Sequence, residues 1–429
     1  MQKFFRNWMR VALIDLTIVA FAGVIMRYKI AFSLPFINQK YLMHAHSHFA
    51  FSGWITQALM VLLTAYLAKR LPQINLKKYN AILWANVLTA FGMLFTFPFE
   101  GYGLYSIIFS TLSIFVSYAF AIVYWTDLNK ITTSRVSHKW FKAAVLFNAI
   151  SSYGAFSLAY MMATHSVTQN GYLESIYFFL HFQYNGWFFF ACMGLLTEFL
   201  LRHGVNARKL KQVYYLFAFA CVPAYFLSVL WIDLSTWIYS LVVLAVIAQL
   251  VALVSLIQLI RHSYAIIMKR LSAPVKRLTG LAAVALIIKL LLQAASVIPS
   301  LSDLTTGFRP IVIGYLHLVF LGIITLFILS YALHYNYISI KKRIITGIAI
   351  FTAGIILNEF LLMVQGIGAL EYQSLPYMNY YLLLAALIMF VGLLCFALKP
   401  FTQTISPSLP STLPIYSNQK KRVYEQQLS

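Results

Sequence analysis

The sequence predicts an all-α polytopic membrane protein of about twelve transmembrane helices, and three observations carry that prediction. Of 429 residues, 61% are hydrophobic and 10% charged, with a mean hydropathy of +0.79, which excludes an ordinary soluble domain. Apolar stretches of about 20 residues, the length that crosses roughly 30 Å of hydrocarbon, recur along the chain. The basic residues collect in alternate connections between those stretches, as loop charges that orient membrane helices do.

Taken in order, the expected spans are 9–28, 44–68, 79–101, 104–126, 140–163, 176–201, 212–232, 235–260, 278–298, 310–333, 344–365 and 380–398. The first follows MQKFFRNWMR and lacks a small-residue cleavage site, so it reads as a retained helix rather than a removed signal peptide. Lys3, Arg6 and Arg10 precede it, and the second, fourth, sixth, eighth and tenth spans are each followed by a basic cluster, from Lys69 and Arg70 to Lys341, Lys342 and Arg343. With the segment after the last span, that side collects 27 Lys and Arg, against four (Arg27, Lys29, Lys40, Arg309) on the other and Lys289 within a span. Such a split puts both termini in the cytoplasm of a multi-pass inner-membrane protein. It also excludes nucleic acid as a partner, because the formal charge of +22 is scattered over seven short segments rather than one stripe. Residues 1–399 therefore form the expected membrane domain. Residues 400–429, rich in Pro and Ser and without apolar period, read as a flexible cytoplasmic tail.

Cys192, Cys221 and Cys395 all lie in apolar runs, and no Cys-x-x-Cys-His occurs. Neither a disulfide framework nor a covalently attached c-type haem is therefore expected. Of the ten histidines, His138, His203, His262 and His334 fall in cytoplasmic loops or helix ends and His165 in an outer loop, where solvated or interfacial side chains are expected. The other five share one depth: His44, His46 and His48 open the second span, His181 opens the sixth, and His317 lies about two turns into the tenth. Intramembrane histidines are costly unless buried and satisfied, so they are functional candidates. Two imidazoles facing each other across a bundle can clamp a b-type haem, an arrangement that passes electrons and leaves no open coordination position. At 100° per residue His44 and His48 share one face about 40° apart, while His46 points 160–200° away, so only one of these faces can meet His317. Asp15, Lys289 and Glu359 are the other ionisable groups well inside spans, and a Lys289–Glu359 pair is one way to satisfy the lysine. Arg309, eight residues before His317, is the favoured cation for haem propionates, with a solvated loop arginine as the plainer alternative.

These residues resemble the haem–copper oxidase subunit I superfamily, most closely its cbb-type oxidase and nitric oxide reductase branches. HSHFAFSGW in the second span (His46 to Trp54), HFQYNGWFFFACMGLL in the sixth and IGYLHLVFLG in the tenth carry the resemblance. It implies a low-spin haem b held by His46 and His317, and it makes His181 a former active-site metal ligand. The departures are equally specific. Tyr315 stands where the family has its high-spin haem histidine, and residues 204–261 contain no histidine where the family has an adjacent pair. The implied copper centre is degenerate, with copper doubtful; His44, His48 and His181 stay as candidate metal ligands, and His181 and Tyr315 as the catalytic candidates. A looser resemblance, through His44-Ala45-His46, is to the NnrS family of haem- and copper-containing membrane proteins. The expected role is electron transfer or redox or gas sensing, with a respiratory electron donor or partner subunits. The rivals are a catalytic oxygen or nitric oxide reductase, an oxidoreductase with a reduced site, and a haem-free proton-coupled transporter. No short or Gly/Pro-broken helix pair is expected that would favour the transporter.

Overall fold

Local signals set where each helix begins. Asn38, Asn75, Thr168 and Asn206 each turn a side-chain oxygen onto backbone N–H groups of the following first turn, capping the second, third, sixth and seventh spans. Pro274 and Pro310 occupy first-turn positions of the ninth and tenth, where a missing N–H costs nothing. The computed structural model describes residues 1–133, 135–298, 301, 308–373 and 375–397. The expected tail, 400–429, lies outside them.

Among the described residues eleven helices are long and apolar enough to cross a membrane: Gln2–Ala31, Gln39–Ala68, Leu76–Glu100, Leu104–Asn129, Val136–Ala163, Gln169–Arg202, Thr236–His262, Ala273–Ala295, Arg309–His334, Lys342–Leu370 and Met378–Ala397. The pair Ala207–Cys221 and Pro223–Val229, bent by 44°, makes a twelfth when counted as one span. Counting that pair as span 7, the helices match the expected spans one for one, and the chain is an all-α polytopic membrane protein. The bend corrects the expectation of unbroken helices. Pro223 has no N–H to continue the ladder, and the chain tightens after it into a 3-10 turn in which Tyr225 N bonds Val222 O at 3.1 Å.

Spans 2 and 6 are the most enclosed, while span 4 turns most of its surface outward. Close helix approach depends on absent side chains at spans 11 and 12. A Cβ on Gly392 would lie 2.5 Å from the Phe351 backbone nitrogen and 2.9 Å from the Gly347 oxygen.

Three spans depart from the α-helix internally. Ala50–Thr56 in span 2, Phe182–Phe188 in span 6 and Leu318–Thr325 in span 10 are π-helical. Each begins within four residues of His46, His181 or His317, which recur 135 and 136 residues apart. The widened turns meet at the centre of the bundle. Trp54 Nε1 donates to Thr325 Oγ1 at 2.9 Å, tying span 2 to span 10, and Trp187 Nε1 donates to Thr56 Oγ1 at 3.2 Å, tying span 6 to span 2. Phe51, Phe188 and Phe320 fill the space between them with ring centroids 4.7–6.3 Å apart. Such insertions concentrate at functional sites because they re-aim the side chains that follow.

Candidate functional site: a histidine pair at one end of the bundle

The first turns of span 2 send their histidines in two directions. His44 and His48 pack toward span 3 and the turn after it. The His48 ring stacks on Phe97 at 4.5 Å and 10° with its Nε2 3.3 Å from the Tyr102 hydroxyl, and His44 meets Tyr102 edge-on at 4.7 Å. His44 Nε2 is buried without a partner among the described residues. His46 points the other way, toward span 1, where its Nδ1 is 3.1 Å from Val19 O. The ring lies beside Gly23, one turn beyond Val19, where an added Cβ would make an ordinary contact 3.5 Å from His46 Cε1.

A carbonyl only accepts, so His46 Nδ1 must carry the proton, and the lone pair of the neutral ring sits on Nε2. His317 repeats the arrangement, with Nδ1 donating to Ile313 O at 2.8 Å in the preceding turn of span 10. Neither Nε2 has a hydrogen-bond partner among the described residues. This is the tautomer an axial haem ligand needs, with the other nitrogen bonded to a carbonyl that fixes the ring. His46 and His317 lie within electrostatic reach of one another, and Arg27, at the end of span 1, lies within reach of both. Arg309 is within reach of Arg27, and its Nη2 rests 3.6 Å from Met43 Sδ. Two guanidiniums beside two neutral imidazoles form a cationic group, and no described ion pair supplies it with a carboxylate. None of the residues Arg309–His317 is fully buried, although the segment packs against span 11. The ring tautomers and the positive charge are those that a bis-imidazole haem with anionic propionates would call for.

His181 is committed elsewhere and uses both nitrogens. Nε2 donates to Cys221 O at 2.8 Å, and Nδ1 accepts from Asn185 Nδ2 at 3.1 Å. Asn185 Oδ1 in turn accepts from Lys289 Nζ at 2.7 Å. The bonds form one chain, Lys289 to Asn185 to His181 to the Cys221 carbonyl, with every donor pointing the same way. The carbonyl is available because span 7 breaks there: Tyr225 N, its partner in a continuous helix, has turned to Val222. The chain also replaces the expected Lys289–Glu359 pair, since Glu359 has Asn358 as its bonded neighbour instead. Tyr315 faces Tyr184 across spans 10 and 6, with ring centroids 6.2 Å apart. Among the described residues no group of three or more His, Cys, Asp or Glu could hold a metal ion.

Sequence reasoning missed three clusters at the opposite, basic end. Glu198 is 1% exposed and takes Arg70, Arg135 at 3.3 Å, Arg202 at 2.9 Å and the Ser137 hydroxyl at 3.0 Å. Asp127 holds Lys78 at 2.6 Å, Lys130 at 2.8 Å and the Tyr79 hydroxyl at 2.8 Å. His138, expected to be solvated, is buried 2.7 Å from the Tyr66 hydroxyl. Only the i,i+4 pair Glu198–Arg202 and the i,i+3 pair Asp127–Lys130 left a trace in the sequence.

The chain matches no family model and no curated protein sequence. The fold defines an all-α multi-pass membrane protein.

Proposed function

We propose that this chain is a membrane-embedded b-type haem protein in which His46 and His317 hold one low-spin haem. The supporting observation is the matched state of two histidines from different spans: each Nδ1 is pinned to a backbone carbonyl and each Nε2 lone pair is left free. Arg27 and Arg309 would receive the propionates. Bound there, the haem supplies one reversible electron without an open coordination position, which fits electron transfer or redox sensing rather than oxygen or nitric oxide reduction. Commitment of both His181 nitrogens to internal hydrogen bonds argues in the same direction. The distribution of Lys and Arg supports an inner-membrane orientation with this site toward the outer face. The test is a reduced-minus-oxidised spectrum of protein purified from haem-replete cells. A low-spin b-type spectrum at one haem per chain is expected, and purification free of haem overturns the reading.

A haem-free proton-coupled transporter is the second reading, favoured by the broken span 7 and the one-directional chain from Lys289 to the carbonyl freed at that break. Haem-free protein that moves protons with a substrate in vesicles, and loses the activity with Lys289→Met, supports it over the cytochrome.

A further inference from the structure

At the basic end of the bundle a half-open cleft of about 90 Å³ lies between spans 6, 8, 9 and 10 and the short helix Tyr264–Arg270. Leu196, Phe199, Met268, Val275 and Phe327 make its walls apolar. Of the three hydroxyls in the wall, two are already used. Thr279 Oγ1 and Ser330 Oγ bond each other at 2.6 Å, and Ser330 donates to Val275 O at 3.2 Å. A lining so largely apolar suits hydrocarbon better than a sugar or a nucleotide.

The mouth is cationic. His334, on the lining, lies within electrostatic reach of Lys69 and His203. Lys69 Nζ sits 4.1 Å over the Tyr335 ring, and Arg202 lies within reach of Tyr331 and Tyr335. Arg70, Arg135 and Arg202 share the single carboxylate of Glu198, so this group carries two positive charges more than it neutralises. We infer that the cleft holds an acyl chain of an anionic phospholipid whose phosphate is met by Lys69 and Arg202. Two other occupants fit less well. The segment 400–429 carries Lys420, Lys421 and Arg422 against the single acid Glu425, so the rim repels it. An isoprenoid quinone offers the rim no charge, and it would sit 17 residues, about 25 Å, along span 10 from His317.

The full-length protein, stripped of lipid in detergent, is titrated by native mass spectrometry with phosphatidylglycerol and with phosphatidylcholine of identical acyl chains. Phosphatidylglycerol is expected to bind more tightly by about fivefold for each engaged cation. Lys69→Gln should remove about one such factor and leave phosphatidylcholine unchanged. Met268→Trp, which fills the cleft, should remove binding of both. Equal affinity for the two lipids, indifference to Lys69→Gln, or undiminished binding to folded Met268→Trp each overturns the inference. So does co-purification of a quinone in the cleft. Should Met268→Trp not fold, Lys69→Gln decides alone.

Discussion

Replacing Asn185 with Ala removes the centre of the buried chain in one step, and the structure fixes what that costs. The Lys289 ammonium, 5% exposed, loses the amide oxygen 2.7 Å away, a charge-assisted bond worth about 1.5–3 kcal/mol. His181 Nδ1 loses its donor at 3.1 Å, a neutral bond worth about 1 kcal/mol. The sum is a destabilisation of about 2.5–4 kcal/mol, and most of it comes from an ammonium left unpaired in an apolar interior. Removing that ammonium should therefore repair most of the damage. The Asn185→Ala/Lys289→Met double variant is expected to be more stable than Asn185→Ala alone, with a coupling of at least about 1 kcal/mol. Thermal unfolding of the four proteins in detergent reads the cycle, at about 2–4 °C per kcal/mol for mid-sized domains and less for a longer chain. Additivity within about 0.5 kcal/mol would mean that Lys289 does not depend on Asn185, and the chain as described would be refuted.

Two further substitutions test the packing. Gly392→Ala puts a methyl 2.5 Å from the Phe351 backbone nitrogen, so spans 11 and 12 must separate, at a cost of about 1–3 kcal/mol; unchanged melting would contradict their close approach. Glu198→Ala leaves three arginines without their shared carboxylate, and because their side chains are 19–35% exposed, hydration trims the loss to about 2 kcal/mol. High salt should lessen the Glu198→Ala penalty by screening the arginines from one another; a penalty indifferent to salt would point to lost packing instead.

The helices were legible because membrane hydropathy is a one-dimensional signal: 20 apolar residues between polar loops need no knowledge of neighbours. Helical angle alone separated His46 from His44 and His48, and the structure keeps that separation, with His46 toward span 1 and the other two against Phe97 and Tyr102. The π-helical turns were not legible, since Ala50–Thr56 and Leu318–Thr325 read as ordinary apolar helix and their extra residue follows from packing between spans. The break in span 7 at Pro223 was not expected, and its consequence, a carbonyl bonded by His181, depends on contact between spans 6 and 7. Pairings across sequence were the least visible. Lys289 finds Asn185, 104 residues away, where charge alone pointed to Glu359. Arg70 and Arg135 reach Glu198 from loops that showed only a surplus of positive charge.

Haem content of single-histidine variants tests the central claim most directly. Wild type, His44→Ala, His46→Ala, His48→Ala and His317→Ala, purified identically from haem-replete cells, are assayed for iron porphyrin per chain alongside their absorption spectra. One low-spin haem is predicted in wild type, His44→Ala and His48→Ala, with His46→Ala and His317→Ala losing it or turning high-spin. Unchanged spectra in both of the latter, or loss confined to His44→Ala or His48→Ala, would contradict the pairing of spans 2 and 10 around one iron.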